Sequence, residues 1–364
     1  MNTPFDGHQY LASFERNGQK GHLTINIDND RNGQGVAYLA MHDPLSFSIF
    51  DCSITDFNAN SISGTAKRSI TLEAAHGQQI ETSTDSTAPF IFELNKTEIP
   101  HKLSYECQGE KNELFLLPVI SAAIAETTKI STWEGFRAWV DDVRTNDRSA
   151  IFRGIARSSY GLKTSFHRTG RVDLERFRDS DFPMFRDLAE TIGGIKFTGA
   201  PEDNGALWGY AQHHGFPTPL LDWTESPYIA AYFAFSERLE NQKLNDDEPV
   251  KIYYLNGKFV EINRPMNVKI SDVYPRVWVF KPSSKGNQRL VFQQGLFLMS
   301  NILEIEAYLV SLNKENLRAI EMPVALARKV IDELAYMGVN HLSLFPGLDG
   351  AAKHAMYKQF YKPV

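Results

Sequence analysis

The densest cluster of chemistry-bearing side chains lies in HHGFPTPLLDWTESP, residues 213–227. Asp222 is a carboxylate able to serve as a general base, and with His214 beside it would suit a hydrolase. Adjacent helical positions point about 100° apart, so one of His213 and His214 is expected to face a ligand and the other to face protein. Trp223 offers a flat face for a planar ring such as nicotinamide or adenine, or else fills the core. Thr224 and Ser226 lie where the segment enters a helix begun by Pro227, and the free N–H groups of a helix start attract anions. Pro217, Pro219 and Pro227 each fix φ. The stretch is therefore expected to be a rigid loop that closes a pocket floor and aims Asp222 toward a cation. Taken singly, each residue has an ordinary structural role. Taken together, they form the best site candidate in the chain.

The cation is Arg153, in the apolar run SAIFRGIA. A guanidinium on a buried strand must be paired or face a cleft, because burying it alone is very costly. Asp222 or Glu225 would supply an internal partner. Otherwise the planar fork suits a diphosphate or a carboxamide-bearing dinucleotide. Metal chemistry is not expected. The two cysteines, Cys52 and Cys107, lie in a different part of the chain from the histidines, and no third ligand has suitable spacing. DNDRNGQG (28–35) imitates a calcium loop but lacks the closing glutamate, so a hairpin turn is expected there.

The elements that must position these residues fall into two textures. Residues 10–118 carry short alternating runs, HLTINID, GVAYLAM, FSIFDCSI, SISGTAK, SITLEAA, APFIFELN and KLSYECQ, punctuated by Gly, Asn, Asp and Pro. That spacing fits an antiparallel barrel or a sandwich. From Thr132 onward helices alternate with strands. TWEGFRAWVDDVR has a capping Thr and helical apolar spacing, and SPYIAAYFAFSERLENQ has Ser226 as its cap and Pro227 at its first position. VKIYYLN, RVWVFKP and RLVFQQGLFLMS read as strands, VALARKVIDELAYMG as a helix, and NHLSLFPGLDGAAKHAMYKQF as strand, turn and helix. The expected class is α+β: a β domain over 1–125, an α+β domain over 130–364, and an apolar junction near 114–130.

The segments IFRG (151–154) and WGYAQHHGFPTPLLDWTESPYIAAYFAF (208–235) resemble the FRG domain, named for its Phe-Arg-Gly tripeptide. NQRLVFQQGLFLMS (287–300) and VIDELAYMGVNHLSLFPGLDGAA (330–352) are similar to that family's closing segments, so the resemblance covers roughly 130–360. One position departs from the pattern. The family has Pro-Thr-Arg before Leu-Leu-Asp, whereas Pro219 stands here in place of the arginine. If that arginine touches a ligand phosphate, this chain lacks the contact or supplies it from elsewhere.

The layout is also similar, at the level of fold, to ADP-ribosyltransferases. That analogy implies NAD as a substrate and puts Arg153 on the first core strand, DWTESP in the middle element, and Gln293 and Gln294 on the last. Breaking the nicotinamide–ribose bond develops oxocarbenium character, which a carboxylate stabilises. The amides of FQQG can position a ribose but bring no negative charge. The resemblance thus implies an enzyme that cleaves or transfers ADP-ribose, of the kind used in bacterial toxins or phage defence. Arg153, His214, Asp222 and Gln294 would be catalytic, and His213, Trp223, Thr224, Ser226 and Gln293 would bind substrate. The competing readings are the hydrolase above and a non-catalytic module that binds nucleotide while its β domain senses a protein partner.

Charge separates the two halves. Residues 1–125 hold 8 Lys/Arg against 15 Asp/Glu, whereas the whole chain carries a net −6, so the imbalance lies in the β domain. An acidic domain is a poor nucleic-acid binder, since phosphate contacts need clustered cations. No apolar run is long enough to cross a bilayer. The first residues lack a basic stretch followed by an apolar one, and cysteine is scarce, so a reduced, cytoplasmic protein is expected.

Overall fold

Period-two alternation of apolar residues builds nine strands in the first third of the chain: β1 (His8–Arg16), β2 (Gln19–Ile27), β3 (Gln34–His42), β4 (Leu45–Phe57), β5 (Ser61–Ala75), β6 (Gln78–Thr82), β7 (Phe90–Asn95), β8 (His101–Cys107) and β9 (Glu110–Pro118). In this computed structural model the described residues are 7–360, apart from 30–32, 43–44, 76–77, 83–88, 108, 120–123, 195, 198–200, 241–246, 265–273 and 285–286. Eight of the strands close into an antiparallel barrel in the order β1-β2-β3-β4-β5-β7-β8-β9, sealed where Ala12 and Ser13 of β1 meet Pro118 and Leu117 of β9. A barrel, not a sandwich, is the outcome. Register shifts at Ile49/Phe50 and Ile54/Asp56 bend the long β4–β5 pair around the corner.

Some strand boundaries differ from the sequence reading. SISGTAK and SITLEAA are one strand, β5, whose first half pairs with β7 and whose second half pairs with β6. Residues 110–118, partly assigned above to the apolar junction, form the eighth barrel wall. β2 and β3 do form a hairpin across the DNDRNGQG stretch, although residues 30–32 lie outside the described residues.

The remaining chain forms β10 (Glu126–Lys129), α1 (Trp133–Asn146), β11 (Ile151–Ile155), α2 (Ser165–Arg168), α3 (Leu174–Arg176), α4 (Pro183–Gly193), α5 (Pro201–His213) and β12 (Leu220–Thr224). There follow α6 (Pro227–Glu240), β13 (Val250–Leu255), α7 (Gly257–Ile262), β14 (Val277–Phe280), α8 (Gln288–Phe292), β15 (Gly295–Ser300), α9 (Ile305–Leu312), β16 (Leu317–Met322), α10 (Ala327–Tyr336), α11 (His341–Leu344) and α12 (Leu348–Phe360). Seven strands make a mixed sheet in the order β10-β16-β13-β11-β12-β15-β14, in which only β10–β16 is parallel. Helices cover it, so the class is α+β.

Two expectations fail here. RLVF is helix α8 and only GLFLMS is strand, since Gln293 and Gln294 turn the chain between them. NHLSL is a one-turn helix, not a strand, with Asn340 accepting hydrogen bonds from the Leu342 and Ser343 N–H groups as a cap. By contrast α1 starts at Thr132, whose Oγ1 accepts from Gly135 N at 3.0 Å, a contact worth about 1 kcal/mol. It buries Trp133, Phe136, Val140 and Val143.

The outer wall of β1–β3 docks on the mixed-sheet half. Asp28, only 3% exposed, accepts from Val172 N at 2.7 Å, Asp173 N at 3.1 Å and Arg176 Nη1 at 3.0 Å, with Arg171 Nη1 at 3.8 Å. Gln9 donates to the Asn301 carbonyl and accepts from Leu303 N, and Tyr274 donates to the Met41 carbonyl. Leu11 joins the core of the mixed-sheet half. Part of the basic cluster at 153–171 is thereby explained: Arg171 meets Asp28, and Arg157 pairs with Glu248 at 2.6 Å. Among the described residues no helix is long and apolar enough to cross a membrane.

Candidate functional site

The Phe-Arg-Gly tripeptide occupies the middle of β11, and each residue has a separate job. Phe152 is buried among the rings of Trp139 and Tyr254. Gly154 lies where α6 crosses the strand: a Cβ there would stand 1.8 Å from the Ala230 carbonyl oxygen. Only glycine lets strand and helix approach so closely. Arg153 alternates away from Phe152 and Gly154.

β11 and β12 share one bridged pair, Phe152 with Thr224, and part beyond it. Arg153 reaches across that split, its Nη1 donating to the main-chain carbonyl of Asp222 at 2.5 Å. The guanidinium thus occupies a place where a continued ladder would have put a backbone N–H. Burial pushes its pKa below the usual arginine value, with Asp222 opposing the shift. Solvent reaches part of the group through the cleft, yet protein surrounds it. Among the described residues no carboxylate is ion-paired with it.

The cleft beside this split encloses about 460 Å³ and is lined from β11, α5, β12, α6, α8 and the α11–α12 region. Asp222 is exposed into it, because its side chain alternates away from Leu221 and Trp223. The carboxylate accepts from Gln212 Nε2 at 3.0 Å, and Gln212 Oε1 in turn accepts from the Thr218 hydroxyl. Here the sequence reading needs correction. LLDWT is a strand in register with β15, not a loop, and Arg153 holds the Asp222 carbonyl, not its carboxylate. Neither Asp222 nor Glu225 forms an ion pair with Arg153. Glu225 is paired with Lys281 at 2.9 Å.

The histidines divide as helix geometry requires. His213 lines the cleft, where burial and the neighbouring Arg289 lower its pKa. His214 is exposed outside the cleft lining, its ring packed edge-on against Tyr210 at 4.4 Å between centroids. Trp223 borders the cleft, but it is 3% exposed and belongs to the core. Thr224 is a tether: its Oγ1 donates to the Gln293 carbonyl at 2.8 Å and accepts from Ser226 N. Ser226 caps α6 through its bond from Ile229 N at 3.3 Å and is not in the lining. Gln293 lines the cleft, though its Nε2 is committed to the Leu344 carbonyl. Gln294 adopts a left-handed backbone, φ 45°, its carbonyl accepts from Glu225 N, and its side chain is exposed outside the lining. Of the nine nominated residues, Arg153, His213, Asp222, Trp223, Thr224 and Gln293 border the cleft, while His214, Ser226 and Gln294 do not.

Residues the sequence reading missed complete the lining. Arg289 on α8 is half-buried over the Phe345 ring, 5.2 Å from its centroid, with no carboxylate partner among the described residues. Asn287 is buried, its Nδ2 donating to the Gly209 carbonyl at 3.3 Å and its side chain facing His213 as a hydrogen-bond partner. Glu237 and Glu240 come from α6, and Glu240 is held by His341 Nε2 at 2.6 Å and Lys353 at 3.2 Å. Burial pushes His341 down to about 4, so near neutral pH the imidazole donates to Glu240 as a neutral ring. Gln212 was legible, being one helical position before His213; Asn287 and Arg289 were not, since nothing local distinguishes them. Among the described residues no three His, Cys, Asp or Glu side chains converge as a metal site.

Residues 148–243 match the FRG domain. The match begins just before β11 and ends past α6, so it spans Arg153, Gly154, Gln212, His213 and Asp222. No curated protein and no solved structure matches the chain. Pro219 is buried directly ahead of β12. Further cations on the cleft are Arg289 and Lys353.

Proposed function

We propose that the cleft binds a phosphate-bearing nucleotide, NAD or a close relative, and breaks its nicotinamide–ribose bond. One observation carries the reading: two guanidinium groups, Arg153 and Arg289, border a single open cleft and neither has a carboxylate partner among the described residues. Such groups are stabilised by a ligand that brings its own negative charge. A diphosphate spanning them would use Arg289 in place of the arginine lost at Pro219. His213 and the buried Asn287 stand side by side on the cleft wall and could together contact a carboxamide.

The carboxylate that FQQG lacks is then supplied by Asp222, exposed into the cleft and oriented by Gln212. As the C1′–N bond breaks, its electron pair passes to the nicotinamide nitrogen, which becomes neutral. Asp222 stabilises the oxocarbenium ion left on the ribose, and water or an acceptor hydroxyl forms the new bond at C1′, losing its proton to Asp222 or solvent. Consumption of NAD by such a site would suit a toxin or a phage-defence effector.

Incubating the intact chain with NAD labelled in the adenine ring separates the outcomes. Released nicotinamide with free ADP-ribose means hydrolysis, and label on protein means transfer. Binding by calorimetry without turnover reduces the protein to a nucleotide-binding module. Arg153→Ala should lose binding, and Asp222→Asn should keep binding but lose nicotinamide release. No NAD binding at millimolar concentration, or normal binding by folded Arg153→Ala, overturns the proposal.

A further inference from the structure

The barrel contains a second cavity, unrelated to the cleft, which the preceding reading leaves unused. One end of the barrel is packed solid: Ile27, Ile62, Leu94 and Leu116 are at most 2% exposed. The end bearing the β1–β2 turn is open. There a cavity of about 460 Å³ runs inward between the strands, within the range of roughly 300–1,000 Å³ found for small-ligand sites. Its upper wall is made of inward-facing apolar side chains, Leu39, Met41 and Phe90, that stay only half-buried. Eight-stranded barrels are just wide enough either to fill with side chains or to hold one small ligand. This barrel does the first at its floor and not at its mouth.

Charge at the mouth says what the occupant carries. Arg68 of β5 projects into the cavity with its guanidinium 5.6 Å from the centroid of the Phe50 ring, and its buried Nε has no hydrogen-bond partner among the described residues. Arg16 stands on the same rim, donating to the Tyr105 hydroxyl at 3.3 Å. Two cations therefore face the opening of an apolar cup within the first third of the chain, which is otherwise acidic. The reactive candidate in the wall, Cys52, is a poor nucleophile: burial pushes its thiol up to about 12. The cup is built to bind, not to react.

We infer that the barrel binds a small amphiphile with an apolar body and one anionic group, the body filling the cup and the anion meeting Arg68 and Arg16. The anion supplies an acceptor for Arg68 Nε, which has none among the described residues, and the apolar body covers Leu39, Met41 and Phe90.

The test uses the intact chain and the fluorescent probe 1-anilinonaphthalene-8-sulfonate, followed by displacement with decanoate, decanol and decyltrimethylammonium. One saturable site is expected, with decanoate displacing best. Arg68→Gln should weaken decanoate roughly tenfold or more while leaving decanol unchanged, as expected for loss of a charge-assisted contact. Arg68→Glu should invert the preference toward the ammonium. Ala66→Phe fills the cup and should abolish binding; should it fail to fold, Leu39→Trp at the half-buried rim serves the same purpose. Absence of saturable binding, equal displacement by all three amphiphiles, or undiminished binding in a folded cup-filling variant each overturns the inference.

Discussion

Replacing Gly154 by alanine tests whether the tripeptide's glycine is there for packing. The new methyl carbon would lie 1.8 Å from the Ala230 carbonyl oxygen, 2.8 Å from its carbon and 3.0 Å from Ala234 N. Ordinary contact begins at 3.4 Å, so strand and helix must separate by about 1.6 Å along that line. All three obstructing atoms are backbone, and no rotamer change relieves them. Moving α6 also loosens Ile229, Ala231 and Phe235, which are buried to 3% or less. A cost of about 3 kcal/mol or more is expected, equivalent to a Tm lower by roughly 6–12 °C for a unit of this size. Gly161→Ala is the control, because no atom of the described residues lies within 4 Å of a Cβ there. It should be neutral or stabilising by up to about 1 kcal/mol through the unfolded chain. Scanning calorimetry with far-UV circular dichroism on both variants decides the matter. A folded Gly154→Ala protein melting within about 2 °C of the parent would refute the argument that close helix approach demands glycine.

Asp28→Ala removes the shared acceptor of Val172 N, Asp173 N and Arg176, and truncating a buried pair costs about 3–5 kcal/mol. The barrel should then melt separately from the mixed-sheet half and limited proteolysis should cut between them; one unchanged transition counts against the docking role. His213→Ala should weaken NAD binding, whereas His214→Ala should not, and an equal effect in a titration would contradict the placement of only one histidine in the cleft. His167 is fully buried, and burial pushes its pKa down to about 3. The unfolded chain therefore binds its proton first: stability is intact above about pH 6.5 and falls by roughly 1.4 kcal/mol per pH unit on acidification toward 3. Urea unfolding at pH 7.5, 6 and 5 should show that slope, reduced in His167→Leu; identical slopes would assign acid sensitivity to other groups.

Local sequence determined a good deal. Period-two runs announced the β half, Thr132 and Ser226–Pro227 marked helix starts through their backbone capping, and Gly338, with φ +84°, stops α10 where it was read to. The FRG tripeptide and the AQHHG…LLDWT stretch singled out the neighbourhood of the cleft, because their residue types are unusual at close spacing. What tertiary structure decided was everything set by long-range pairing. Barrel rather than sandwich depended on β1 meeting β9, a contact between residues about a hundred positions apart, which no local pattern encodes. LLDWT became a strand because β15 offers it a ladder, overriding the prolines that flank it and its polar Asp222. Arg153 found a carbonyl and not a carboxylate because β11 and β12 part after a single pair. Arg289 from α8 and Asn287 just ahead of it joined the cleft, and Asp28 met Arg176, through folding alone. Composition and periodicity fix which face of an element is apolar, but not which distant polar group will stand opposite it.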